Sequence, residues 1–145
     1  MRRRRPWAVR NAGRILLTAA GLLTVVGPLS ADWNQSHVFN PHWPSHARFH
    51  GVVGSLTGAA LAALALGALW LPRRGRASRN AAAAVPLVYW GSFGPAALLP
   101  GSGVDDPSHR VRRLGGALPI NLFWAALGVT LAGAGWLVDR SLADA

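Results

Sequence analysis

Four long stretches without a charged side chain divide the sequence, and they constrain the fold more than any other feature. They cover residues 15–31, 51–71, 81–99 and 117–138. As helices that rise about 1.5 Å per residue they would measure roughly 25 to 33 Å, against roughly 30 Å for the hydrocarbon core of a bilayer. Too little polar chain remains to cover them in water. The sequence therefore predicts an all-α, polytopic membrane four-helix bundle that forms one domain, residues 1–145.

Composition excludes several classes of function. The chain has no cysteine, lysine or glutamate, and its fifteen arginines outweigh five aspartates to give a net charge of +10. Without cysteine there is no disulfide framework, thiolate metal site, iron–sulfur cluster or cysteine nucleophile. A basic chain often binds nucleic acid, but these arginines border apolar stretches. The expected partner is therefore the lipid bilayer and not nucleic acid.

The arginines also predict an orientation. Eleven of them precede the first stretch, separate the second from the third, or follow the fourth, and four lie in the other two connections. By the positive-inside rule both termini are expected in the cytoplasm, in a plasma or inner membrane. A cleaved signal peptide is the alternative for the first stretch. Leu29 occupies a position where cleavage after Ala31 requires a small residue, so we expect that stretch to be retained.

Most of the histidines are concentrated between the first two stretches. Four of the five lie within fourteen residues: His37, His42, His46 and His50. Pro44 suits the start of a helix, which would place His46 and His50 one turn apart on one face. Continued in four-residue steps, that face reaches Gly54 and Gly58. We therefore expect both imidazoles to point into the bundle.

Three interpretations of this segment remain open. In the first, an imidazole exchanges protons and Asp32 orients it. In the second, His46 and His50 have the spacing of a two-imidazole metal site; two ligands do not complete a site, so no metal or other cofactor is assigned. In the third, the histidines hydrogen-bond to loop carbonyls and water and have only a structural role.

Topology predicts that polar groups from three helices meet at one depth. Asn121 lies inside the fourth stretch, where an amide must be hydrogen-bonded, and we expect it to face the bundle and reach a histidine. The predicted catalytic residues are His46, His50 and Asp32. The predicted substrate-binding residues are Asn34, His37, His42 and Asn121.

Small residues and prolines shape the interior of the spans. We expect close helix packing at three sets of small residues: Gly54 with Gly58, Ser55 with Ala59 and Ala63, and Gly128 with Ala132. Pro86 and Pro95 should bend the third helix. Tyr89, Trp90 and Ser92 on that helix would lie deeper, either as the floor of a pocket or as core packing.

The segment from Asp32 to His50 carries a family resemblance. It contains the pattern D-W-N-x-x-H-x-x-N-P-x-W-P-x-H-A-R-F-H, which resembles the signature of a family of small, uncharacterised four-helix membrane proteins. Members are sometimes labelled acetyltransferases, but the sequence has no acetyl-CoA or phosphate-binding loop to support that activity. The architecture also looks like membrane families that include sterol isomerases and quinone-associated proteins, an analogy of fold alone.

Two hypotheses of function follow, and the sequence does not decide whether the chain is an enzyme. In the first, the protein binds or converts a lipophilic small molecule by acid–base chemistry, as an isomerase or cyclase would. In the second, it is a non-enzymatic subunit or scaffold for another membrane protein, and its histidine-rich segment is structural.

Overall fold

The computed structural model describes residues 6–71, 75–105 and 110–143, and within them the fold is all-α apart from one small hairpin. The helices are α1 (Trp7–Arg10), α2 (Ala12–Asp32), α3 (Ser45–Trp70), α4 (Arg76–Gly91), α5 (Phe93–Leu98) and α6 (Ile120–Ala143). Strands β1 (Arg113–Leu114) and β2 (Leu118–Pro119) pair antiparallel. Gly115 and Gly116 join them with φ of +59° and +76°, a conformation that suits glycine.

Four helical segments are long and apolar enough to cross a membrane, as predicted. They are α2, α3, α4 together with α5, and α6. Many of their large apolar side chains point away from the protein, and Leu64 and Val88 are 72% and 73% exposed. Lipid is the environment in which such an apolar surface is stable without burial. The fold is therefore that of a multi-pass membrane protein.

The helices pack side by side with α2 and α4 at the centre. These two contact each other, and each also contacts α3 and α6. The indole N–H of Trp70 donates to the Thr18 hydroxyl over 2.9 Å, which brings the end of α3 to the start of α2. Arg79 and Asp139 form an ion pair of 3.0 Å, which brings the start of α4 to the end of α6. Successive spans therefore run in opposite directions.

The two ends of this bundle differ in chemistry. We call the end that holds loop 33–44 and the first turns of α3 the histidine end. The other, which holds the Arg79–Asp139 pair, is the arginine end. Sequence analysis predicts that the histidine end faces outside and the arginine end the cytoplasm, and this orientation remains a prediction.

Small residues allow the central helices to approach closely. Gly58 of α3 lies against the ring of Tyr89, and Gly128 of α6 lies against the indole of Trp90. A methyl group at either glycine would overlap these rings. Gly54, one turn before Gly58, has no atom of the described residues within 4 Å of the position that a Cβ would occupy. The expected packing is thus found at Gly58 and Gly128 but not at Gly54.

The two prolines of the third span have different effects. Pro86 is buried inside α4, which continues past it to Gly91. A turn at Ser92 separates α4 from α5, which contains Pro95, although the backbone of Ser92 keeps helical dihedral angles. Because proline has no N–H and its ring clashes with the carbonyl four residues earlier, Pro95 disrupts the backbone at Gly91. The regular helix is therefore interrupted near the second proline and not at the first, and the bend itself remains a prediction.

Candidate functional site

Loop 33–44 at the histidine end is ordered by its own hydrogen bonds. The side-chain oxygen of Asn34 accepts from the backbone N–H and the hydroxyl of Ser36, at 2.8 and 2.6 Å. Asn40 is only 3% exposed. Its amide donates to the Ser36 carbonyl over 3.3 Å and its oxygen accepts from the backbone N–H of His42 over 2.9 Å. Two asparagines therefore hold the loop in shape.

Aromatic and arginine contacts attach this loop to α3. The His37 ring packs edge-on against Trp43, with 5.6 Å between ring centroids. Trp43 in turn lies over Gly51 of α3. The guanidinium of Arg48 donates to the backbone carbonyl of Asn40 over 2.8 Å. His37 and Asn34, both predicted to bind substrate, thus lie in the framework of the loop.

His46 and His50 form a close pair on the first turns of α3. Their Nε2 atoms are 3.1 Å apart, and their rings meet edge to face with centroids 4.5 Å apart. Both side chains are exposed, so the prediction that they point into the bundle is wrong. Each residue of an α-helix advances about 100° around the axis, so a step of four residues exceeds one full turn by about 40°. Three such steps lead from His46 to buried Gly58, and they rotate the side-chain direction by about 120°. The two residues lie on different faces.

Asp32 contacts a different face of α3. Its Oδ2 accepts a hydrogen bond from the Ser55 hydroxyl at 3.1 Å, and that hydroxyl is also 2.9 Å from the carbonyl oxygen of Gly51. Ser55 is 2% exposed. Nine residues separate it from His46, which is about half a turn around the helix axis. Asp32 therefore does not orient His46, and the predicted Asp–His arrangement is not formed.

A tyrosine from α4 completes the surroundings of this carboxylate. The Tyr89 ring lies against Gly58, one turn beyond Ser55. Side chains from α2, α3 and α4 thus meet in this part of the bundle. We call Asp32, Ser55 and Tyr89 the Asp32 cluster.

Asn121 is not brought to the histidines. Its side-chain oxygen accepts from the backbone N–H of Leu122 over 2.9 Å, close to the start of α6. Helices α3 and α6 lie on opposite sides of the central pair, so an amide on α6 is remote from His46 and His50. The expectation that Asn121 reaches a histidine is wrong.

The predicted site residues therefore lie in separate groups and not in one pocket. Those groups are Asp32 with Ser55, His46 with His50, Asn34 with His37 in the loop, exposed His42, and Asn121 on α6. Within residues 6–71, 75–105 and 110–143, no three histidine or carboxylate side chains come together as metal ligands.

Sequence reasoning misses Ser55 and Asn40 as site-forming residues. It predicts only a packing role for Ser55, because the short side chain of serine lets two helices approach closely. A usable signal is its position one turn before Gly58, on the face that packs against other helices. Asn40 lies in a loop, and the fold of that loop is needed to identify its partners.

Comparison with known proteins gives one match. A family model described as a family of unknown function (DUF6640) matches residues 16–143, nearly the whole chain. No curated protein and no solved structure matches.

Proposed function

Because the chain belongs to the family of unknown function DUF6640, its role must be inferred from its own residues, and we propose that it binds a lipophilic molecule bearing a hydroxyl or amine. The resemblance likewise suggested an uncharacterised family, and to that extent the two agree. Membership does not test the signature pattern, and it gives no support to an acetyltransferase activity.

The hydrogen bond between Asp32 and Ser55 is the observation that supports this proposal. A carboxylate at the end of a membrane span is costly unless it is bonded, and such residues commonly mark binding sites. Ser55 bonds to Oδ2 alone, and among the described residues Oδ1 of Asp32 has no hydrogen-bond partner. Asp32 is also only half-buried. Its free oxygen can accept a hydrogen bond from a hydroxyl or an ammonium group.

The neighbouring side chains suit a molecule that is mainly apolar. Tyr89 presents its ring one turn of α3 away from Ser55, and Gly58 leaves room for that ring. A ligand would place its polar group at the Asp32 cluster and its hydrocarbon part along the helices. This arrangement uses one anchoring carboxylate and a largely apolar surface, as small-molecule sites commonly do.

The proposal is restricted to binding. Acid–base conversion by His46 and His50 would require the reacting group to meet the pair, which lies across α3 from Ser55. A polar group held by Asp32 is on the wrong side of the helix for that reaction. The isomerase or cyclase activity expected from the sequence is therefore not part of the function proposed.

Mass spectrometry of co-purified lipophilic molecules tests the proposal. Protein purified in mild detergent would be compared with Asp32→Asn and with Asp105→Asn, a matched change at a carboxylate that pairs with Arg113 in the connection before α6. A bond to a charged group contributes about 1.5–3 kcal/mol, so Asp32→Asn should lower the retained ligand about tenfold or more. Asp105→Asn should retain it. The same molecules at the same level in all three proteins would contradict the proposal.

A second candidate, a partner subunit, is favoured by the surface at Gly54. In the part of the chain that the structure describes, this glycine of α3 has no neighbour within 4 Å of the place that a Cβ would take. Small residues at such surfaces let another helix approach closely. A stoichiometric membrane protein that co-purifies with the chain, and is lost in Gly54→Leu, would support this function. Gly67→Leu is the matched control, because Gly67 is equally open but lies on another face of α3.

A further inference from the structure

The close approach of two exposed imidazoles is not explained by the Asp32 cluster. We propose that His46 and His50 chelate one divalent transition-metal ion through their Nε2 atoms. The site lies on the face of α3 remote from Ser55, so it is independent of the function proposed above. Failure of either proposal leaves the other unaffected.

The separation of the two nitrogen atoms fits a chelate. Metal–imidazole bonds of about 2.05 Å to two nitrogens that are 3.1 Å apart subtend about 100° at the metal. This angle lies between the square-planar and the tetrahedral values. The two Nε2 atoms already lie at hydrogen-bonding distance, so a cation can take the place of the hydrogen between them after a small rotation of each ring.

The helix provides this geometry in advance. His46 and His50 are four residues apart within α3, where side chains on successive turns are neighbours. The ring of Phe49 packs edge-on against His50 at 5.4 Å between centroids, which restrains that imidazole. Metal binding therefore requires little further ordering of the two histidine side chains, because the helix already holds them next to each other.

The ligand set determines which metal is favoured. Imidazole suits Cu²⁺, Ni²⁺ and Zn²⁺, and Cu²⁺ binds most tightly in this series. Both side chains are exposed, so the remaining coordination positions are open to water or to an oxygen of a bound molecule. The site therefore holds an exchangeable ion and not a closed structural metal.

Copper titration of the full chain tests the proposal. The protein would be purified with an affinity tag that contains no histidine, and Cu²⁺ binding would be followed by calorimetry and by electron paramagnetic resonance. We expect one ion per chain with two nitrogen ligands. Because the second imidazole binds intramolecularly, His46→Ala and His50→Ala should each weaken binding roughly a hundredfold.

Two further variants separate chelation from the mere presence of histidine. The double change His50→Ala with Ala47→His keeps the number of histidines but sets the two imidazoles about 100° apart around the helix, so tight binding should be lost. His42→Ala removes another exposed histidine of the same segment and should leave binding unchanged. Circular dichroism would verify that each variant is folded.

Each remaining outcome would overturn the proposal. No Cu²⁺ binding by the unaltered chain would do so. Equal affinity in the chain and in both alanine variants would assign the copper to other residues. Loss of affinity in only one alanine variant, or full affinity in the variant with adjacent histidines, would show that one imidazole suffices.

Discussion

The indole N–H of Trp90 donates to the hydroxyl of Thr24 over 2.9 Å, and this bond joins the two central helices in the middle of the protein. Thr24 has no exposed surface, and its hydroxyl donates in turn to the carbonyl of Ala20. The Thr24 hydroxyl thus accepts the hydrogen bond of the only polar group in the buried Trp90 side chain. Lipid cannot replace that acceptor, so the bond fixes the register of α2 against α4.

Removal of the Thr24 hydroxyl should destabilise the protein. Thr24→Val keeps the shape of the side chain but leaves the Trp90 N–H without an acceptor. Hydrogen bonds between membrane helices contribute about 0.6 kcal/mol on average and up to about 1.7 kcal/mol, and we expect the upper part of that range here. Unfolding in mixed micelles would measure it. Thr24→Ser keeps the hydroxyl, so a serine variant as unstable as the valine one would contradict the role of the bond.

Gly128 should tolerate no side chain. A methyl group there overlaps the indole of Trp90, whereas Gly133 on the same helix faces open space. Gly128→Ala should therefore cost about 1–3 kcal/mol of unfolding free energy through overpacking. Gly133→Ala should be neutral or slightly stabilising, because alanine is the better helix former. Thermal denaturation followed by tryptophan fluorescence compares the two, and equal melting temperatures would refute the close contact.

The ion pair at the arginine end should be worth more than a surface pair. The side chains of Arg79 and Asp139 are 26% and 12% exposed, and Nε of Arg79 is buried with no hydrogen-bond partner among the described residues. Asp139→Asn leaves a half-buried guanidinium without its carboxylate, and we expect a loss of about 1–3 kcal/mol. Asp105→Asn breaks a more exposed pair and should cost less than about 1 kcal/mol.

Chemical denaturation of both aspartate variants would measure the difference. The charge-swapped protein, Arg79→Asp with Asp139→Arg, should recover part of the loss because it restores opposite charges. A swap that is less stable than Asp139→Asn alone would argue that surrounding groups, and not the pair, determine stability at that end.

Asn40 should control the order of loop 33–44. Asn40→Ala removes the side-chain bonds to the Ser36 carbonyl and to the backbone N–H of His42. Amide hydrogen exchange should become faster throughout the loop, whereas the rates within α6 should not change. Asn40→Asp keeps the acceptor and loses the donor, so its exchange should be intermediate. Unchanged exchange in the alanine variant would mean that other contacts suffice.

Sequence reasoning predicts the spans well because lipid imposes a simple requirement. A segment that crosses a bilayer must be apolar and helical, and both properties are visible in composition. The limits of the helices are less visible. Helix α3 begins at Ser45 and includes His46, Arg48 and His50 before the uncharged stretch starts, because a polar helical turn carries no hydrophobic signal.

The candidate site is harder to predict because it depends on rotation about helix axes. The spacing of His46 and His50 correctly places them as neighbours, but the face they share cannot be extended to Gly58 without the accumulated turn of the helix. The partner of Asp32 is missed for a related reason. Ser55 lies on a separate helix, and only the packing of α3 against α2 determines which hydroxyl group of α3 faces the carboxylate.

The pairing of Arg79 with Asp139 has a consequence for how the chain is made. Sixty residues separate the two along the sequence, so the arginine leaves the ribosome well before its carboxylate exists. During that interval we expect its positive charge to favour retention on the cytoplasmic face, in the orientation that the arginine distribution predicts. Once α6 has been synthesised, its Asp139 pairs with Arg79 and neutralises this charge. In the predicted orientation, Arg79 therefore contributes to insertion first and to the stability of the folded protein afterwards.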